Sequence, residues 1–281
     1  MVTGARLAGL TVDIALRRGR RPDTVNVLDD VNLEVPAGQV TALIGESGCG
    51  KSLVVAALSG LLPPGSRARG LVHIGDRELR PDDERSWRAL RGRHVGVVPQ
   101  SAATSFTPVR TVGSQLAEIS ARLGVSGREE QIGDRGREEQ IGVRGREEQM
   151  GVSTPEQLCA AVALPAGVVH RYPHELSGGM AARVAIAAAL AGRPALLLAD
   201  EPTSALDPEN AALVWRLLGT AAADGAAVLV VTHDMPSLLR AEVCDDVAVM
   251  TRGTVRSRQP LADALADPDP YLRALLGTVP V

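Results

Sequence analysis

One stretch of eight residues, "GESGCGKS" from Gly45 to Ser52, constrains this chain more than any other. It follows the apolar run "QVTALI" and precedes "LVVAALSGLL", so its glycines sit where a strand would turn into a helix. In that context a Gly-x-x-x-x-Gly-Lys-Ser pattern cradles phosphate: glycines let backbone N–H groups converge, and the helix that follows presents its positive end. Lys51 can then reach a terminal phosphate, and the Ser52 hydroxyl is placed for Mg²⁺. Gly45, Glu46, Ser47, Gly48, Cys49, Gly50, Lys51 and Ser52 are therefore the first candidates for contact with a nucleotide. Cys49 is a small filler there, and its oxidation would crowd the site.

A phosphate cradle becomes hydrolytic only with a metal ligand and a base. The apolar run "ALLLADEP" supplies Asp200, expected in the Mg²⁺ shell, and Glu201, expected to polarise an attacking water. "LVVTHD" brings His233 to a third strand end, where it can contact the terminal phosphate and orient both Glu201 and the water. Gln100, just after "VGVVP", can reach Mg²⁺ or the water from a mobile loop. Hydrolysis of a nucleoside triphosphate is the economical reading, with Lys51, Gln100, Glu201 and His233 as catalytic residues and Ser52, Gln100 and Asp200 at the metal. His73, His94, His170 and His174 lack metal-ligand spacing and read as structural or surface residues.

"LSGGM" at 176–180 stands directly ahead of a long helical segment. Ser177 can cap that helix, and Gly178 and Gly179 leave its first backbone donors open to an anion. The chain already has one phosphate site, so this second one is either idle or serves a nucleotide held by another subunit. The latter argues for a dimer.

Near-continuous apolar runs such as "PALLLADEP", "AAVLVVTHD" and "DDVAVMTRG" belong inside a mostly parallel sheet covered on both faces. "LAGLTVDIAL", "VNLEV", "LVHIGD" and "VGVVPQ" are further expected strands, and Pro63-Pro64-Gly65 is expected to close the helix after the phosphate loop. Helical segments begin at "VGSQLAEISARLG", "PEQLCAAVALPA" and "SGGMAARVAIAAALAG", which gives an α/β fold with a helical insert. With aromatics at only 2%, those helices must pack through small side chains.

Residues 127–152 repeat at a period of nine, led by Gly127, Gly136 and Gly145. Nine residues make about two and a half helical turns, so successive Glu-Glu pairs alternate faces and build no apolar stripe. The segment reads as a duplicated surface insertion or a docking element. A net charge of −3 gives no global pull towards nucleic acid, and none is expected as a partner. Three cysteines, far apart and in no Cys-x-x-Cys arrangement, point to a reducing compartment. No run reaches the roughly 18 apolar residues of a spanning helix.

Taken in order, "GESGCGKS", Gln100, "LSGGM", "ALLLADEP", "SALD" and "VTHD" resemble the nucleotide-binding subunit of an ATP-binding cassette transporter over roughly residues 4–260. The resemblance implies a RecA-like core with a mostly parallel sheet, an N-terminal antiparallel β subdomain and an inserted helical subdomain at about 101–192. A short tail at 261–281 follows the nucleotide-binding domain at 1–260. It implies ATP and Mg²⁺ as ligands, and two subunits closed head to tail with Ser177, Gly178 and Gly179 of one facing the phosphates at Lys51 of the other. Asp207 in "SALD" would link the two sites.

"SFTPVRTVGSQLAE", "YPHELSGGM" and "PDPYLRALLGTVP" are similar to ATPases of dipeptide, oligopeptide and nickel importers. Such systems join a second ATPase subunit, a relative or a copy of this chain, to two transmembrane permeases fed by an external substrate-binding protein. The expected place is the cytoplasmic face of the cell membrane. Two departures stand out. No aromatic precedes Trp87 to stack on adenine, and the cysteine-bearing tail of peptide-importing ATPases is missing, which leans towards a nickel-type or small-peptide subunit. Rival readings are a cassette ATPase without permeases and a regulatory cassette of little turnover; the intact Glu201 and His233 speak against the second.

Overall fold

The computed structural model describes residues 4–18, 21–124 and 154–277. The nine-residue repeats at 127–152 lie outside the described residues. The chain opens with β1 (Ala5–Arg18) and β2 (Arg21–Val35), an antiparallel pair with register shifts between Leu7 and Asp13. β3 (Val40–Gly45) leads into the phosphate loop and α1 (Lys51–Leu58). β4 (Ser66–Ile74) returns to β1, and β5 (Arg77–Leu79) completes a four-stranded antiparallel sheet of order β2-β1-β4-β5.

After α2 (Glu84–Leu90) and β6 (Val95–Val98) come α3 (Val112–Leu123), α4 (Pro155–Ala161) and α5 (Gly178–Leu190), the helical subdomain. The chain then alternates through β7 (Leu196–Asp200), α6 (Pro208–Ala223), β8 (Ala227–Val231), α7 (Met235–Arg240) and β9 (Asp246–Thr251). β10 (Thr254–Pro260), α8 (Leu261–Ala266) and α9 (Pro270–Leu276) follow. The second sheet has the order β10-β9-β3-β8-β7-β6, parallel throughout except for the β9–β10 pair.

The apolar strands are uninterrupted because both faces of this sheet are covered. Ala42, Leu197, Val228, Val230 and Val249 point into a core shared with α3 to α9, while Leu43, Leu198, Leu229, Val231 and Met250 point into a second core with α1 and the antiparallel sheet. Successive residues of one strand thus feed two cores, the period-two geometry of a strand. α5 buries five alanines, Ala181, Ala182, Ala185, Ala187 and Ala189, and its C-cap Ala191 is buried as well. Small side chains let it lie close to the sheet.

α1 ends earlier than Pro63-Pro64-Gly65. Leu61 N–H donates to Ala56 O at 2.7 Å and Gly60 N–H to Ala57 O at 3.2 Å, a Schellman closure with Gly60 at φ +65°. The ring of Trp87 fills the space where a side chain at Gly60 would stand. A left-handed residue therefore stops the helix, and the prolines lie in the turn beyond it.

Candidate functional site

β3, β7 and β8 are neighbours in the parallel sheet, and their C-terminal ends open on one side. The turn after β3 carries Gly48 at φ +80° and Gly50 at φ +108°, conformations that cost an L side chain about 1–2 kcal/mol. Both glycines are required by the turn itself. Two braces hold it from outside: Gly253 N–H donates to Cys49 O at 3.0 Å, and Leu28 and Met250 pack where a Gly50 side chain would lie. Lys51 crosses the turn, its Nζ donating to Gly45 O and Glu46 O at 2.8 Å each. Cys49 is buried, with Sγ 3.8 Å from the same ammonium.

A cleft of about 290 Å³ gathers Ser47, Gly48, Gly50, Lys51 and Ser52 with Gln100, Asp200 and Glu201. Leu53 and Val231 complete its wall; neither was singled out from sequence, since an apolar residue in an apolar run carries no local signal. Burial holds the Asp200 carboxyl above its usual range, and the neighbouring Glu201 adds to this, while the Ser52 hydroxyl and Lys51 oppose it. Asp200 Oδ1 is buried without a hydrogen-bond partner among the described residues. That unsatisfied oxygen, beside a hydroxyl and an amide side chain lining the same cleft, fits a hard divalent cation such as Mg²⁺.

Glu201 sits in a left-handed conformation at φ +49°, pinned by its N–H donating to Val231 O at 2.8 Å. This strain turns its carboxylate into the cleft, where it is 14% exposed and 2.8 Å from Nδ1 of His233. His233 is itself 75% exposed, so the pair has one end in protein and one in solvent. Thr232 and Asp234 shape this turn: Asp234 N–H donates to Thr232 Oγ1 at 3.0 Å, and the Asp234 carboxylate caps α7.

Ser177, Gly178, Gly179 and Asp207 are not among the residues lining this cleft. Ser177 caps α5, its Oγ accepting from Met180 N–H at 3.3 Å. Ser177 and Gly178 are exposed, whereas Gly179 is turned inward. Asp207 caps α6, and the amides of Asn210 hold its carboxyl below the ordinary aspartate range. Asn210 itself went unnoticed in the sequence, although an Asp followed three residues later by a polar residue is a readable helix-start signal.

A glycine-rich turn between parallel strand and helix, joined in one cleft by a half-buried aspartate and a glutamate, defines a P-loop nucleoside triphosphatase. The profile of the family described as "ABC transporter" matches residues 28–204, and the chain belongs to that family of ATP-hydrolysing subunits. It is 37% identical to the probable peptide ABC transporter ATP-binding protein y4tR of Sinorhizobium fredii, over 90% of this chain and 71% of that protein. It is 35% identical to the probable D,D-dipeptide transport ATP-binding protein DdpD of Escherichia coli, over 91% and 73%. Against the oligopeptide transport ATP-binding protein OppD of Mycobacterium bovis it is 35% identical over 95% of its own length, spanning 41% of that protein. Among solved structures it is similar to the dimeric, ADP- and Pi-bound ATP-binding cassette MJ0796, with 27% identity, a TM-score of 0.69 and coverage of 92% and 98%.

Proposed function

We propose that this chain is the ATPase engine of a peptide importer, with Glu201 as the general base and His233 as the group that holds it. The observation that carries this is the convergence of Lys51, Ser52, Gln100, Asp200 and Glu201 on one cleft, with His233 2.8 Å from the Glu201 carboxylate. Ser52, Asp200 and Gln100 would hold Mg²⁺, which when bound neutralises charge on the β- and γ-phosphates. The Lys51 ammonium exchanges the carbonyls of Gly45 and Glu46 for phosphate oxygens. Glu201 takes a proton from a water as its oxygen attacks the γ-phosphorus, the bond to the β-phosphate oxygen breaks, and ADP and phosphate are left. His233, by fixing the Glu201 rotamer, keeps the acceptor oxygen aimed at that water.

Ser177 and Gly178, exposed and outside this cleft, are left to meet the nucleotide of a facing ATPase subunit, a copy of this chain or a relative. The loop after Gln100 suits a permease contact. Buried Gln115 ties it down through Thr107 N–H at 2.8 Å and Arg110 O at 3.0 Å, and leaves Val109 80% exposed. Among the described residues no helix is long and apolar enough to cross a membrane; in this reading the subunit works on two permeases served by an external binding protein. The relatives named above are called peptide, D,D-dipeptide and oligopeptide transporters, which supports the peptide branch over nickel.

Uptake of a labelled dipeptide and of labelled nickel by cells lacking the gene tests this. Restoration of dipeptide uptake by the intact gene, and not by Glu201→Gln, is the expected result. Nickel uptake restored in its place moves the protein to the metal branch, and a fully active Glu201→Gln overturns the base.

A further inference from the structure

Gly179 lies in the first turn of α5 at an ordinary negative φ, so its conformation is open to any residue. Space is what restricts it. A Cβ there would stand 2.4 Å from both Cγ and Oδ1 of Asn210 and 2.9 Å from its Cβ. Neighbouring Gly178 meets the same segment more loosely, with Leu206 Cδ2 3.5 Å from its Cβ position. Asn210 has no freedom to step aside, because both its nitrogens are held by Asp207: the backbone N–H donates to Oδ1 at 2.9 Å and Nδ2 to Oδ2 at 2.7 Å.

We propose that Asn210 is a positioning residue that locks the Ser177–Gly179 helix start to the Ser204–Asp207 turn within one chain, so that the two move and are presented as one unit. The functional consequence rests on the facing-subunit reading above. If Ser177 and Gly178 meet the partner's nucleotide, any shift of Asp207 at the subunit seam is transmitted through Asn210 to the group that completes the partner's site. Glycine at 179 is then needed for a neighbour in its own chain.

Hydrogen exchange and ATP turnover of the full chain, in wild type, Asn210→Ala, Gly179→Ala and the double variant, test both levels. Asn210→Ala is expected to speed exchange of the Met180 and Ala181 amides, which donate to Ser177 Oγ and Ser177 O. The rise is about tenfold or more, with Leu53 and Val54 after the phosphate loop unchanged. Turnover should fall about tenfold while ATP affinity stays within about twofold. Gly179→Ala should be the more damaging single change, and adding Asn210→Ala should relieve it in part, because Cγ and Oδ1 go while the Cβ of residue 210, 2.9 Å away, stays. Unchanged exchange in Asn210→Ala, or no relief in the double variant, overturns the lock. Faster exchange with normal turnover keeps the lock and overturns the facing-subunit reading.

Discussion

Two helices of this molecule begin with glycines beside a serine, and they do so for opposite reasons. At Gly45–Ser52 the glycines serve the backbone: Gly48 and Gly50 are left-handed, and the turn could not curl its amides inward otherwise. At Ser177–Gly179 neither glycine has a positive φ, the serine is an ordinary helix cap, and Gly179 is small because Asn210 stands over it. The first start is ringed by titratable groups in a cleft, Lys51, Asp200 and Glu201. The second is exposed at Ser177 and Gly178, and its nearest cation, Arg183, is turned back into its own chain, donating from Nε to Gly179 O at 3.1 Å. One start opens into a cleft of charged side chains, and the other lies outside that cleft on the surface.

The largest test of that contrast removes the reaction and leaves the surface. Glu201→Gln is expected to lower ATP turnover by about 10²–10⁴-fold, the usual worth of a positioned base, while ATP binding persists. With bound ATP retained, the pair of subunits should accumulate closed, visible as a doubling of mass in gel filtration only when ATP is present. Turnover within tenfold of wild type would make Glu201 a bystander.

Next in size is Gly50→Ala. It forces a side chain into φ +108° and against Leu28 and Met250, so about 2–3 kcal/mol of loop distortion is expected, and ATP affinity should fall by roughly 30- to 100-fold. Its point is the comparison with Gly179→Ala. Backbone strain travels with the residue and no second substitution should relieve it, whereas a steric clash is relieved by trimming the neighbour. A Leu28→Ala change that restored Gly50→Ala fully would erase the distinction.

Most of the first site was legible in the sequence because its chemistry is local. Eight consecutive residues fix the turn, the end of one strand delivers both Asp200 and Glu201, and His233 stands two residues beyond the end of another. The alternation of cores was legible too, since strands covered on both faces must be apolar at every position. What escaped was tertiary. No local pattern says that Asn210 packs on a glycine 31 positions away, that Gly179 faces inward while Gly178 faces out, or that Glu201 is left-handed. The end of α1 was misplaced for a similar reason: Gly60 closes it by a hydrogen-bond pattern, ahead of the more conspicuous prolines.

Charge offers a subtler test. Burial raises the Asp200 carboxyl above its ordinary pKa, so ionised Asp200 opposes folding at neutral pH. Its favourable contribution is complete below the ordinary carboxylate pKa and is lost as pH rises through the raised folded value. Asp200→Asn should therefore raise the Tm of the chain in chelator at pH 7 while removing Mg²⁺-dependent turnover, and the Tm advantage should vanish on acidification. A lower Tm for the variant at pH 7 would mean that Asp200 is held for structure and is not strained for a cation.

The smallest expected effect concerns the base of the nucleotide. The first aromatic, Trp87, is fully buried against Gly60 and cannot stack on a ligand, whereas Val25 on β2 is 43% exposed and two residues from Val27, whose carbonyl flanks the phosphate loop at Gly50. The register with β1 shifts between Asn26 and Leu28, leaving Val27 as the bulged residue, and a ring at exposed Val25 just before it tests whether this edge can supply a wall for the base. Val25→Tyr is expected to tighten ATP binding about fivefold, the equivalent of roughly 1 kcal/mol of stacking, and to widen the preference for ATP over GTP. Because stacking acts on the base and Gly50 acts on the phosphates, the gain should persist in Gly50→Ala and be additive with it. Equal gains for ATP and bare triphosphate would show that the ring works through the loop and leave the base without a wall.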